Sequence, residues 1–244
     1  MNRFFLIAIA ATIIFSCNKD DDPALEKLTL LRQYDIAVAE PSGLSYSAGG
    51  NALYTVSDQT GNAYKLSLTG SVISTLGFTG NDLEGITVNP SNGDIWVVAE
   101  RSRQLIKLKS NGTEIDRFQL DIEANDDNAG LEGIAFNSEN DHLYILNEKN
   151  PGLLLEVNEQ GKIVRETELN FASDYSGIFF DHSEEVLWIV SDESKTVTKC
   201  DLFGELDKSF NIPIAQAEGI VVNSQEKEIY LTRDGNSKMY IFGY

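Results

Sequence analysis

A glycine, an aromatic residue 11 positions later and an acidic residue 4 beyond that recur five times in this 244-residue chain. The sets are Gly43/Tyr54/Asp58, Gly85/Trp96/Glu100, Gly133/Tyr144/Glu148, Gly177/Trp188/Asp192 and Gly219/Tyr230/Asp234. Each glycine follows Ser or Glu and precedes Leu or Ile, and successive glycines lie 42, 48, 44 and 42 residues apart. A period of this size, filled with short β-rich segments, marks a ring of blades in which each repeat buries its faces against its neighbours. The chain therefore reads as all-β, a five-bladed β-propeller of four-stranded antiparallel blades. Its length is enough for one such domain with a sizeable core.

Within a repeat the segments read as four strands. In the second, residues 85–88, 94–99, 104–108 and 114–120 are β-branched or aromatic-rich, with an Asn-Pro-Ser-Asn-Gly turn after the first strand. Asn111-Gly112 is the hairpin signal between the last two strands, and Gly70, Gly161 and Gly204 hold the same place elsewhere. The fifth repeat ends after its third strand, residues 239–242. Leu28, Leu30, Tyr34 and Ile36 alternate with mostly polar neighbours just before the first blade. This N-terminal strand is expected to supply the missing outer strand and close the ring, because an open ring exposes unpaired edges. The five recurrent aromatics are expected in the core between blades rather than in a ligand-stacking box.

Strand order sets where the acids meet. In a propeller the first strand of each blade lines the channel and the second returns antiparallel to it. The residue before each glycine (Ser42, Glu84, Glu132, Ser176, Glu218) then shares one end of the ring with the acid closing the second strand (Asp58, Glu100, Glu148, Asp192, Asp234). Eight of these ten positions are carboxylates. An acidic insertion at residues 121–128 enters at the same face. Crowded carboxylates raise one another's pKa unless a cation joins them. Arg101, Lys149 and Arg233, each adjacent to an outer acid, can neutralise part of the charge; Glu84, Glu132 and Glu218 lack an obvious basic partner. An all-oxygen set suits Ca²⁺ better than Mg²⁺, which keeps its waters. Calcium is the expected occupant. Carboxylates that only hold the ring together, or a proton-handling pair, are the alternatives. His142 and His182 fall at the opposite face and Cys200 stands alone, so imidazole and sulfur ligation are not expected.

The first residues read as processing signals rather than fold. Arg3 precedes an apolar run over residues 4–15, too short to span a bilayer comfortably, and Ser16-Cys17 closes it. Residues 14–17 resemble a bacterial lipobox, which implies cleavage before Cys17 and its lipidation, with residues 17–27 as an acidic tether and 28–244 as the propeller. A plain secretory signal is the alternative. The net charge of −19 becomes one unit more negative on cleavage, since Arg3 is the sole charged residue removed. Such a surface repels phosphate backbones and excludes nucleic acid as a partner. Loss of Cys17 to lipid leaves Cys200 without a disulfide partner, and its alternating strand context makes it a small core residue.

Pro41-Ser42-Gly43-Leu44, residues 53–58 and Asp82-Leu83-Glu84-Gly85-Ile86 closely resemble the SdiA-regulated protein family, and the match runs through nearly all of residues 34–244. The resemblance implies a five-bladed propeller, distantly related to NHL-repeat propellers, with a calcium site and no established reaction. Carried over by motif, Glu84, Glu132 and Glu218 would sit near that calcium, while Ser42 and Ser176 break the Glu pattern in two blades. The expected function is a calcium-bearing module, held to the outer membrane by lipid alone, that binds an unidentified ligand or protein partner. The side of the membrane it faces is left open. The alternative is a calcium-dependent hydrolase, lactonase- or phosphoesterase-like. Ser57-Asp58 and Ser191-Asp192 are adjacent pairs, but no histidine is expected on their face, which argues against a serine hydrolase. A purely structural scaffold is the third reading.

Overall fold

The computed structural model describes residues 25–122 and 129–244. The expected signal peptide (1–16), Cys17, the start of the tether and residues 123–128 of the acidic insertion lie outside the described residues. Two strands precede the repeats, β1 (Glu26–Lys27) and β2 (Thr29–Asp35). Blade I comprises β3 (Pro41–Tyr46), β4 (Leu53–Ser57), β5 (Asn62–Leu66) and β6 (Val72–Thr79). Blade II comprises β7 (Leu83–Val88), β8 (Ile95–Ala99), β9 (Gln104–Leu108) and β10 (Glu114–Gln119). Blade III is β11 (Leu131–Asn137), β12 (His142–Asn147), β13 (Leu153–Asn158) and β14 (Ile163–Glu168). Blade IV is β15 (Gly177–Asp181), β16 (Val186–Ser191), β17 (Thr196–Cys200) and β18 (Leu206–Asn211). Blade V has β19 (Ala217–Asn223), β20 (Glu228–Arg233) and β21 (Lys238–Gly243).

Each sheet runs in sequence order from the channel outward, and β2 is the fourth strand of blade V. It pairs antiparallel with β21 from Thr29↔Gly243 to Asp35↔Lys238, so the N-terminal strand closes the ring. Glu26 and Lys27, within the stretch read as tether, run parallel to the outer edge of blade IV beside Phe210 and Asn211. The second strand of blade II begins at Ile95, one residue later than expected. Asp94 is held in the preceding turn, its N–H on Asn92 Oδ1 and its C=O taking the Asn89 N–H, both at 2.8 Å. In the hairpins between third and fourth strands, Gly70, Gly112, Gly161 and Gly204 all adopt left-handed backbone (φ 81°, 90°, 73° and 82°). That is the conformation only glycine takes without strain.

Five apolar clusters coincide with the five joints between blades, and each contains one recurrent aromatic. Tyr54 packs with Leu83 and Ile86, Trp96 with Leu131 and Ile134, and Tyr144 with Ile178 and Phe180. Trp188 packs with Ala217 and Ile220, and Tyr230 with Leu44 and Leu53. Trp96 and Trp188 are wholly buried. Lys107 and Lys199, opposite them on the third strands, lie 4.9 and 5.8 Å from the ring centres. These aromatics are inter-blade core, each worth about 3–5 kcal/mol on truncation to alanine. Cys200 is buried in blade IV, and burial pushes its thiol up to about 12.

Around the channel the five repeat glycines allow the inner strands to touch. A Cβ on Gly43 would lie 2.7 Å from the Glu84 carbonyl oxygen, and one on Gly85 2.3 Å from that of Glu132. On Gly133 it would meet the Ile178 nitrogen at 2.8 Å, on Gly177 the Glu218 carbonyl oxygen at 2.0 Å, and on Gly219 the Gly43 carbonyl carbon at 2.5 Å. The repeat glycine is a packing requirement.

Candidate functional site

The inner side chains reach the channel through a local irregularity in the ladder. In four blades the register between first and second strands slips at the Ser/Glu-Gly step: Ser42/Ser45, Leu83/Gly85, Leu131/Ile134 and Ala217/Ile220. A bulge at this point bends the strand and re-aims a side chain. Blade IV has no slip, and its first strand begins at Gly177.

A second repeated contact ties the end of the second strand to the residue two places before the inner position. The N–H groups of Asp58, Glu100, Glu148 and Asp234 donate to the carbonyls of Glu40, Asp82, Gly130 and Gln216, at 3.3, 2.9, 2.9 and 3.1 Å. In blade IV the Asp174 carboxylate takes over this role. It accepts the Asp192 N–H (3.2 Å), the Glu193 N–H (3.0 Å), the Ser176 hydroxyl (3.2 Å) and the Ser191 hydroxyl.

These elements converge on a cavity of about 470 Å³ at one end of the channel. Of the expected positions, Ser42, Asp58, Glu84, Glu132, Glu148, Ser176, Asp192, Glu218 and Asp234 line it. Glu100 is buried just behind, its carboxylate accepting the Gly130 N–H at 3.3 Å. Glu40, Asp174 and Glu193 also line the cavity, and sequence reasoning missed them. Glu40 and Asp174, like Asp82, stand two residues before an inner position, a fixed offset that marks them in the sequence, and Glu193 directly follows the outer acid Asp192.

The bases divide. Lys149 Nζ lies on the rim between Glu148 (2.8 Å) and Glu193 (3.1 Å). Arg101 turns instead to Asp82, pairing with it at 3.1 Å, and Arg233 donates to the Ala215 carbonyl at 2.9 Å. Among the described residues no ion pair reaches Glu84, Glu132 or Glu218.

The electrostatics follow. Burial, opposed by a hydrogen bond from Ser42 and reinforced by Asp58, Glu218 and Glu100, pushes the Glu84 carboxyl up to about 9. Burial and the charges of Asp192, Asp234 and Asp174 raise Glu218 to about 8. Burial, then Glu84 and Glu218, hold Glu132 well above the usual carboxylate range. Desolvation also raises Asp58, Glu100, Glu148 and Asp234.

Two groups of three carboxylates bring oxygens within 4.8 Å of one another: Asp58, Asp82 and Glu84 at the blade I–II joint, and Glu100, Glu132 and Glu148 at the blade II–III joint. Either could hold a metal ion. Glu84 and Glu132 thus fall in different groups, and Glu218 belongs to neither. At the channel's other end is a smaller cavity of about 120 Å³, lined by Tyr46, Phe136, Phe179, Phe180 and His182. His182 contacts Ser138, and His142 pairs with Glu156 at 2.6 Å, so neither imidazole approaches Ser57 or Ser191. Ser57 donates to the Ala39 carbonyl at 2.5 Å.

Solved propellers share this architecture at low identity. A streptogramin B lyase superposes with a TM-score of 0.55 and 16% identity, over 86% of this chain and 71% of that one. The virginiamycin B lyase from Staphylococcus aureus gives 0.58 and 16%, over 84% and 81%. A luciferin-regenerating enzyme gives 0.53 and 13%, over 87% and 95%. At such identities the likeness is one of fold. The family model described as SdiA-regulated matches residues 27–242.

Proposed function

The chain belongs to the SdiA-regulated family, and from that premise we propose that it is a calcium-bearing binding module of the cell envelope. It is held by lipid at Cys17, and its carboxylate pit recognises a ligand or a protein partner. The observation that carries this reading is the pair of three-carboxylate groups, four of whose six members (Asp58, Glu84, Glu132 and Glu148) line a pit whose inner glutamates have no ion pair among the described residues. The donors fit the ion: all are oxygens, and each group spans the joint between two blades, an arrangement that suits a large ion with flexible coordination. Asp58, Asp82 and Glu84 would hold calcium at one joint, and Glu100, Glu132 and Glu148 at the other. Bound there, calcium would neutralise desolvated charge and offer open positions to oxygen atoms of a ligand. The anchoring rests on residues 1–22 alone.

The test is metal content and thermal melting of residues 18–244 before and after chelation, with calcium added back. Stoichiometric calcium and a melting point that rises on its return are expected, with a smaller rise for magnesium. Glu84→Gln or Glu132→Gln should weaken calcium binding by about tenfold or more, roughly 1.4 kcal/mol. A metal-free protein indifferent to calcium would leave the carboxylates a structural role.

The raised carboxyls favour one second reading. Protonated glutamates in a concave site are potential general acids, so a calcium-dependent hydrolase of lactones or phosphate esters is the alternative. Turnover across such panels, lost in Glu84→Gln, would establish it over the binding module.

A further inference from the structure

The fourth strand of every blade is apolar at one end and polar at the other. Ten large apolar side chains are exposed among the described residues. All but Leu25 lie in a hairpin between third and fourth strands or in the first three residues of a fourth strand. Both places are at the end of the ring opposite the carboxylate pit, since each fourth strand starts where the third finishes. The same five strands end toward the pit on Asp35, Thr79, Gln119, Glu168 and Asn211, every one exposed and polar.

A bulge turns these apolar side chains outward. In each blade the ladder between third and fourth strands slips by one residue just past the hairpin. The extra residue is Leu31, Ile73, Ile115, Val164 or, in blade IV, Asp207. Such a residue is left unpaired, and the bend re-aims its side chain. In blade IV the hairpin residue Phe203 stands in, with the Arg165 guanidinium 4.2 Å from its ring centre. Leu31, Ile73, Ile115, Val164 and Phe203 are 45–58% exposed. Single exposed aliphatics are ordinary on a protein surface. One per blade, at matched places and at one end only, is not.

The chain enters blade V at this same end: Thr29, which opens β2, pairs with Gly243, as does Glu228 from the other side. Just upstream, β1 runs beside the strand that Leu206 begins, with Glu26 on Lys208 at 2.8 Å and Leu25 half exposed. From Cys17 to Leu25 the chain covers at most about 28 Å. A lipid on Cys17 therefore keeps the bilayer within that distance of the outer edge of blade IV.

Building on the reading of Cys17 as a lipid anchor, we propose that the end of the ring opposite the pit is a bilayer-contact face. Its circle of apolar side chains seats among the lipid headgroups, and the pit points away from the membrane. The side chains are spread singly around the rim instead of gathered into one patch. That suits a flat, yielding surface better than the packed core of a protein interface. Arg32, Arg117 and Lys208, close to the bulges, are each paired with a glutamate, so the contact is apolar and not electrostatic.

The test places spin labels on the lipidated chain in phosphatidylcholine vesicles. Ile73→Cys and Thr79→Cys mark the two ends of β6, and Ile115→Cys and Gln119→Cys the two ends of β10; Cys200 is buried and stays unlabelled. At 73 and 115, collisions with oxygen should rise on vesicles and collisions with a water-soluble nickel complex should fall. Labels at 79 and 119 should stay aqueous. Residues 18–244 without lipid should partition weakly onto the same vesicles, with little dependence on salt. Ile73→Ser with Ile115→Ser should lower that partition by about tenfold at an unchanged melting point.

Aqueous labels at 73 and 115, equal shielding at both ends of the strands, or partition untouched by the serine variant would each overturn the proposal. Labels at 73 and 115 shielded equally without vesicles would mark a contact between copies and overturn it too. A lipidated chain whose labels stay aqueous keeps the anchor and loses the contact face. If mass spectrometry finds no lipid on Cys17, the anchor falls, and partition of the unlipidated chain still decides the face.

Discussion

Gly177 shows how much one position can carry. Its missing side chain leaves room for the Glu218 carbonyl, which a Cβ would meet at 2.0 Å, and the clash is with backbone that cannot rotate away. Gly177→Ala is therefore expected to cost about 2–3 kcal/mol in urea unfolding. Gly49→Ala, whose added Cβ meets nothing closer than 3.5 Å and whose φ is ordinary, should be near neutral. Equal effects at the two positions would refute the packing role of the ring. The inner acids were legible because they sit beside these glycines at a fixed spacing. Glu40 and Asp82 lie just before their strands in left-handed backbone (φ 43° and 58°), so strand alternation does not mark them and only their offset from Ser42 and Glu84 does.

At the scale of the element, the first strand of each blade carries both the core and the pit. Its even pleat alone would keep each inner side chain on one face of the sheet. The bulge at the Ser/Glu-Gly step breaks that alternation in four blades, and blade IV substitutes the Asp174 carboxylate network. The closing strand was legible from the arithmetic of strands, since three remained in the last repeat and one alternating segment stood unused upstream. β2 caps β21 over the whole length of the latter, so its removal bares an edge. Deleting residues 25–38 is expected to abolish cooperative melting or drive aggregation, read by light scattering and thermal denaturation. A truncated protein that melts like the full chain would contradict closure by β2.

For the whole molecule, the pit makes stability depend on pH with a definite sign. Glu84 and Glu218 titrate near 4.5 in the unfolded chain but at about 9 and about 8 when folded. The folded state thus binds more protons across that interval. The stability these groups contribute is fully present below about pH 4.5 and is lost as pH rises toward their folded values. Each changes stability by up to about 1.4 kcal/mol per pH unit. His182, lowered by burial, acts in the opposite sense near its unfolded value of 6.5, as one group against several. Denaturant midpoints of the metal-free protein should fall between about pH 5.5 and about pH 8, and Glu84→Gln with Glu218→Gln should flatten the slope. A midpoint that rises over this range would overturn the assignment. Calcium binds the ionised form, so its stabilising effect should be largest at the alkaline end.

The repeat by itself determined the number of blades, the order of strands, the inter-blade place of the aromatics and the end of the channel at which the acids gather. Those properties follow from spacing along a chain whose side chains alternate every two residues. Only the tertiary structure decided which carboxylates stand within reach of one another. That depends on bulges, left-handed turns and the approach of neighbouring blades at bare glycines, all of which act across the ring. So it split Glu84 and Glu132 between two joints, left Glu218 in neither group, and drew Arg101 onto Asp82 and Arg233 onto the Ala215 carbonyl.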